Sequence, residues 1–277
     1  MDKKERLILI IAIIVLILIC VFLNKIKKID PSYDLKIYFF NAGKADAILI
    51  EKNNKYIMLD TGEESLSQEI LDYFKKNNIK KLDYLIITHF DKDHVGSASN
   101  VIDNIEIGEV LQSNYIKESE YYNNYIKSLS NKKITPITVS GDYDIELDDL
   151  KIVVNGSEKI YDSNESNNSS LIVSINYNKN NFLFMGDSQN ARIKDFLNNN
   201  DETYDFLKVP YHGNYLKRLD TLLEEKNIKY AVITSSNKEL ESEETISMLN
   251  KYNIKYFLTR KGSITIYSNG NEIKIRQ

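Results

Sequence analysis

Cysteine is nearly absent from this chain. Cys20 is the only one, which excludes an internal disulfide and any zinc site built from thiolates. Histidine is scarce, at three residues. A basic balance is also missing, since the net charge is −4. Such a chain does not draw nucleic acid by its overall field. Only one long hydrophobic run occurs, so this chain by itself is not a polytopic channel. What remains is 277 residues, 42% apolar and 27% charged. That is enough for one large domain or two small ones with a sizeable core.

The hydrophobic run extends from Leu7 to Leu23, seventeen residues without a polar interruption. As a helix it spans about 25 Å, near the lower limit for crossing a bilayer. It is apolar on every face and flanked by Lys3, Lys4 and Arg6, then Lys25, Lys27 and Lys28, which disfavours a buried core helix. Cys20-Val21-Phe22-Leu23-Asn24-Lys25 lacks the small residues of a signal-peptide cleavage site. Cys20 follows Ile19, unlike a lipoprotein cysteine. The expectation is a tail and single transmembrane anchor over 1–24, a linker over 25–33 and one domain over 34–277. Lysine and arginine flank both ends equally, so charge leaves orientation open. A very short leading tail ahead of a signal-like segment commonly stays inside, which places residues 34–277 outside the cell. Residues 1–33 carry a net +3, so residues 34–277 carry −7 within the total of −4. Basic pairs such as Lys217-Arg218 and Arg260-Lys261 read first as solvated faces.

Two of the three histidines fall within Thr88-His89-Phe90-Asp91-Lys92-Asp93-His94, directly after the apolar run Leu82–Ile87. The third is His212, in Val209-Pro210-Tyr211-His212-Gly213. Imidazoles and carboxylates converging from strand ends are the donors that a divalent cation takes. A lone histidine on an apolar face is more often a core residue, but this cluster reads as metal-binding.

The rest of the chain supplies a scaffold. Leu35–Phe40, Ala47–Ile50 and Tyr56–Leu59 read as strands, with a hairpin turn at Asn53-Asn54. Asp60-Thr61-Gly62 ends the third. Leu66 to Asn77 places Leu66, Ile70, Leu71 and Phe74 on one helical stripe, and the strand to His89 follows. The second half repeats this rhythm. Leu171–Ile175 and Phe182–Met185 pair, Gly186-Asp187 ends the second, Gln189–Leu197 is helical, and Tyr204–Val209 leads to His212. Two such units facing each other bring both histidine loops to one edge of two packed sheets. Further strands are expected at Leu150–Val154, Tyr230–Thr234, Ile254–Leu258 and Ser263–Tyr267, with a helix at Glu243–Tyr252 and polar loops at Asn164–Asn168 and Asn198–Asn200.

These motifs, in this order, resemble the metallo-β-lactamase superfamily over about residues 34–275. They are most similar to the C-terminal domain of ComEC-type competence (DNA-uptake) proteins. His89-x-Asp91-x-Asp93-His94 is similar to that family's metal motif. Asn41-Ala42-Gly43-Lys44-Ala45-Asp46-Ala47, Asn167-Asn168-Ser169-Ser170-Leu171, Met185-Gly186-Asp187 and Leu207-Lys208-Val209-Pro210-Tyr211-His212-Gly213 resemble its other motifs. The chain departs from the pattern at Tyr211, where the family has His, and at Asn41 and Lys44. It also lacks the late Gly-His-Pro and the third-motif histidine.

The resemblance implies an α+β, four-layer αββα sandwich after the anchor. It implies one or two divalent ions, zinc or manganese. His89 and Asp91 would serve one, and Asp93, His94 and His212 the other, with Asp187 between them. Asp93, His94 and Asp187 would then carry catalysis. Ser169, Asp46, Asp60 and Tyr211 are candidates for positioning ligands or substrate, with turn structure or packing as the plain alternative. A metal pair suits phosphodiester hydrolysis. Three functions stay open: a membrane-anchored phosphodiesterase or nuclease outside the cell, a hydrolase of another phosphoester such as phosphorylcholine on cell-wall polymers, and a non-catalytic binding module with a residual metal site. The first would take a phosphodiester or nucleic acid as substrate. Protein partners stay unknown from the sequence. A β-lactamase is disfavoured, because the three-histidine set is incomplete.

Overall fold

The computed structural model describes residues 4–6, 9–16, 32–161 and 165–277. Residues 9–16 are helical, with exposed apolar side chains. Among the described residues no helix is long and apolar enough to cross a membrane. Much of the expected anchor and nearly all of the expected linker lie outside the described residues. Met1–Tyr33 and Asp34–Gln277 form separate compact units.

The second unit contains two sheets. In chain order the first is built from β1 (Leu35–Phe39), β2 (Ala47–Lys52), β3 (Lys55–Thr61), β4 (Lys81–Ile87), β5 (Glu106–Ser113) and β6 (Ile137–Val139). The second takes β7 (Asp142–Leu147), β8 (Leu150–Asn155), β9 (Ile172–Tyr177), β10 (Asn180–Phe184), β11 (Phe206–Lys208), β12 (Tyr230–Ile233) and β13 (Lys255–Leu258). The chain then returns to the first sheet with β14 (Ile264–Ser268) and β15 (Ile273–Arg276). The strand orders are β15-β14-β1-β2-β3-β4-β5-β6 and β13-β12-β11-β10-β9-β8-β7.

Strand periodicity sorts the apolar residues into layers, because successive side chains point to opposite faces. Ile48 and Ile50 of β2, Ile57 and Leu59 of β3, and Ile86 of β4 face the second sheet. Leu49, Met58, Leu85 and Ile87 face outward. In the second sheet Phe182, Phe184, Phe206 and Val232 face inward, while Leu183, Leu207, Ala231 and Ile233 face outward. Phe39 meets Phe206 across the sheets with ring centroids 5.9 Å apart. Removing one such buried ring costs about 3–5 kcal/mol.

The outer faces are covered by helices. Ile70 and Phe74 of Ser67–Lys76, Val101 of Ala98–Asn104, and Tyr125 and Leu129 of Glu120–Lys132 cover the first sheet. Ile193 of Asn190–Asn199, Leu219 and Leu222 of Lys217–Lys226, and Leu249 of Glu243–Lys251 cover the second. The order of layers is helices, sheet, sheet, helices. The expected polar loop at Asn164–Asn168 contains a short helix, Glu165–Asn168, and the expected loop at Asn198–Asn200 begins later, since the preceding helix runs to Asn199.

Pairing direction positions the site. β3, β4, β5 and β6 run parallel, as do β10, β11, β12 and β13. Each pair is joined through a covering helix or a helical connection. Loops after parallel strands all emerge at the carboxyl edge, where open sheets bind ligands. Asp60, His89, Asp187, His212 and Thr234 all lie at such strand ends.

Candidate metal centre

His94 shows how the edge is used. Its segment after β4 forms a helical turn, Lys92–Val95, which directs the imidazole back toward Asp60. Asp60 sits at φ 54°, a conformation aspartate tolerates better than most residues. Asp60 Oδ1 accepts from the Thr88 backbone N–H at 2.7 Å, and its Oδ2 accepts from Thr88 Oγ1 at 2.6 Å. His94 Nδ1 lies 2.7 Å from Asp60 Oδ2. A carboxylate only accepts, so Nδ1 carries the proton and the Nε2 lone pair points away from Asp60.

His212 reaches the same state through a relay. Thr234 Oγ1 donates to Asp46 Oδ1 at 2.6 Å. The hydroxyl is then left as acceptor for His212 Nδ1, at 2.9 Å. Tyr211, His212 and Gly213 have φ of 52°, 51° and 74°, so the loop makes a tight left-handed passage. Strain of this kind concentrates at functional sites. Lys208 is fully buried beneath the loop. Its ammonium contacts Asp46 Oδ2, donates to the Gly186 carbonyl at 3.0 Å and lies 3.8 Å from Asp187 Oδ1.

The two histidines converge on two carboxylates. His94 Nε2 is 3.4 Å from Asp187 Oδ1 and 3.9 Å from Asp93 Oδ2. His212 Nε2 is 3.2 Å from each of the same two oxygens. One donor atom from each of Asp93, His94, Asp187 and His212 falls within 4.8 Å of the others. His89 stands beside them, its ring 4.0 Å from that of His94.

Nε2 of His89, His94 and His212 and Oδ1 of Asp187 are buried without a hydrogen-bond partner. Four orphaned polar atoms in one place are costly unless something satisfies them. A divalent cation fits, since Asp93, His94, Asp187 and His212 together offer two nitrogens and two oxygens, a count that suits tetrahedral zinc and includes the oxygen donors that manganese takes. Asp46, Asp60 and His94 also cluster. There the carboxylates are already engaged by Lys208, Thr234 and Thr88, so that group backs the first one.

Charge balance agrees. Burial opposes charging of His212, but Asp187, Asp93 and Asp46 outweigh it and push its pKa up to about 9. Burial likewise opposes charging of His94, while Asp187 and Asp60 hold it well above the ordinary value. Burial also works against ionisation of Asp187, yet the two imidazoles keep its carboxyl well below the usual range. The pocket therefore demands positive charge, as protons or as a cation. His89 differs: burial and the neighbouring His94 pull its pKa down to about 4.

The other candidates divide. Asp91 Oδ1 is 3.9 Å from His89 Nε2, but Asp91 stands outside the four-residue group. Ser169 lends its carbonyl to Ser113 Oγ at 2.7 Å. The serine that touches the site is Ser170, whose Oγ lies 3.3 Å from His89 Nδ1 and accepts from the Asp187 backbone N–H at 3.2 Å. Tyr211 packs against the outer layer of the second sheet. Arg260 pairs with Glu241 at 3.0 Å, which removes much of its value as a basic patch. Sequence reasoning assigned no role to Thr88, Ser170, Lys208 or Thr234. Lys208 carried a signal as a lysine in an otherwise apolar strand end.

The metallo-beta-lactamase superfamily model matches residues 41–235. The chain belongs to that superfamily. Its members are mostly metal-dependent hydrolases. Recombination protein 2 of Haemophilus influenzae is 26% identical over 242 residues, covering 84% of this chain. The chain spans 28% of that protein's length. Among solved structures, the metallo-beta-lactamase fold protein YhfI from Bacillus subtilis superposes with a TM-score of 0.58 at 10% identity. That similarity covers 88% of this chain and all of the other. CmlA, a diiron beta-hydroxylase from Streptomyces venezuelae, superposes with a TM-score of 0.53 at 14% identity. It covers 85% of this chain and 54% of the other. At those identities the two structures bear on fold alone.

Proposed function

We propose that this protein is a metal-dependent hydrolase of phosphodiesters, acting outside the cell from a membrane anchor at residues 7–23. The observation that carries the hydrolase reading is the convergence of Asp93, His94, Asp187 and His212, the last three of which bring buried atoms without a hydrogen-bond partner. Those four would hold a divalent ion of zinc or manganese type. When bound, such an ion polarises a phosphoryl oxygen and lowers the pKa of water. The chain's own residues prepare the place. Asp60 and the Thr234–Asp46 relay hold both imidazoles in the tautomer that presents Nε2. Lys208 offsets Asp46 and fixes the Gly186 carbonyl, which sets the turn that delivers Asp187.

Similarity to a recombination protein supports nucleic acid as the phosphodiester. The −7 charge of residues 34–277 favours a second reading, a smaller phosphoester such as phosphorylcholine on a wall polymer. The test is hydrolysis of bis-p-nitrophenyl phosphate, single-stranded DNA and p-nitrophenyl phosphorylcholine by the metal-loaded chain. Activity above that of an Asp93→Ala, His94→Ala double variant supports the enzyme, and the preferred ester separates the two readings. No excess over the double variant on any ester would make the chain a binding module. Protease treatment of intact cells tests the location: residues 34–277 should be degraded, and full protection would overturn an outside placement.

A further inference from the structure

Asp91 matches the sequence pattern of a metal ligand, yet its surroundings differ from those of the four convergent residues. This chain already engages both of its oxygens. Ser166 Oγ donates to Oδ1, and Lys117 Nζ donates to Oδ2 at 2.8 Å. His89 Nε2 stays 3.9 Å from Oδ1. Asp187 Oδ1 and the Nε2 atoms of His94 and His212, by contrast, have no hydrogen-bond partner.

The placement of Lys117 is braced. Its segment follows β5 and is tied down at three successive residues. Ser113 Oγ donates to the Ser169 carbonyl, Asn114 Nδ2 to the Ser157 carbonyl, and Tyr115 OH to Glu165 Oε2, each at 2.7 Å. Glu165 begins the short helix that also carries Ser166. Both donors to Asp91 therefore come from one cross-linked pair of segments, with the Lys117 side chain itself 46% exposed.

An ammonium is a compact point charge with three donors. Set on Asp91, it brings positive charge to the half of the site where His89 offers the one remaining unsatisfied nitrogen. A divalent ion between His89 and Asp91 would have to displace Lys117 or lie against it, and would gain few protein ligands in return.

We propose that Lys117 takes the place of a second cation, so that the chain holds one divalent ion, on Asp93, His94, Asp187 and His212. The inference rests on the metal reading above. Its test is elemental analysis of the full chain after saturation with zinc, and separately manganese, and removal of the excess. The unaltered chain should retain one ion per molecule. Lys117→Met frees Asp91 and should raise the count to two. Lys117→Arg keeps the charge and should leave it at one. Two ions in the unaltered chain would overturn the inference and leave the metal reading standing. One ion in both the unaltered chain and Lys117→Met would remove the role of Lys117. No retained ion in any form would remove the metal reading, and this inference with it.

Discussion

The two histidine loops present the same atom by different means. After β4, His94 sits on a helical turn and its Nδ1 meets the Asp60 carboxylate directly, at 2.7 Å. After β11, His212 sits in a left-handed passage and its Nδ1 meets the neutral hydroxyl of Thr234, which only then reaches Asp46. One loop relies on a charge and relaxed backbone, the other on a relay and strained backbone. The difference teaches that the Nε2 geometry is the requirement, and that each loop should fail under different substitutions.

The largest effects should erase the comparison by removing what both loops serve. Asp187→Asn, His94→Ala and His212→Ala should each strip bound metal, measured by elemental analysis. Each should lower phosphodiesterase activity at least about 10²-fold, comparable to losing one strong transition-state contact. Retained metal in Asp187→Asn would take that carboxylate out of the site.

Substitution behind the histidines should sharpen the comparison. Asp60→Asn removes the charge that fixes His94 and should weaken metal affinity about 10- to 100-fold. Thr234→Val removes a neutral partner, and the loss should be smaller, about 3- to 10-fold. Competition with a chelator would read both. Equal losses would mean that the relay through Asp46 transmits as much as a direct carboxylate does.

Titration offers a third comparison. In the ion-free protein His212 has its pKa raised to about 9, against an ordinary value near 6.5. Between those values the folded chain holds a proton that the unfolded chain has lost. That stabilisation is fully present below about 6.5 and disappears as pH rises through about 9. Ion binding must expel the same proton, which alone should raise affinity by up to about tenfold per pH unit across the window, and His94 adds to that slope where it too is protonated. His89, lowered to about 4, is neutral throughout and should release none. Calorimetric titration in buffers of different ionisation enthalpy at pH 7.5 counts the protons. A count of zero would contradict the raised values at His94 and His212.

Much of this arrangement is legible in the sequence, and the exceptions have physical reasons. The hairpin at Asn53-Asn54 is signalled by two residues that tolerate positive φ, and both adopt it. Ile70 and Phe74 fall on the buried helical stripe as their spacing requires. β5 does not stand out in the sequence, because Glu106, Gly108 and Glu109 interrupt its apolar residues, and only its second half is continuously buried. β7 does not stand out either, because acidic residues alternate along its exposed face. The helix Glu120–Lys132 buries Tyr125 and Leu129 amid polar neighbours, a weak stripe without knowledge of the sheet beneath. Asp93, His94, Asp187 and His212 stand out through motif order and come together in space. Thr88, Ser170, Thr234 and Lys117 do not stand out, because a single hydroxyl or lysine acquires its role only from what folding sets beside it. Residues 7–23 remain an expectation of the sequence.

The remaining effects, on stability first and on metal binding second, belong to the glycines that close the two loops. Gly213 stands at φ +74°, and an added Cβ would lie 2.7 Å from Ile233 Cγ2 and 3.1 Å from Glu241 Cβ. Gly96 has an ordinary φ of −55°, but an added Cβ would meet Glu64 N at 2.7 Å and Glu63 Cα at 2.8 Å. The first glycine is required by conformation and by neighbouring side-chain atoms; the second is required by main chain alone. Gly213→Ala should cost about 2 kcal/mol, a few degrees of Tm. Gly96→Ala should cost about 3 kcal/mol, since the overlap is with main chain. The Gly213 variant should also weaken metal binding, because relief of its strain moves the adjoining His212. Gly96→Ala should move His94 less, as Asp60 holds that ring directly. If thermal unfolding ranks them in the opposite order, backbone conformation would outweigh close packing at this edge.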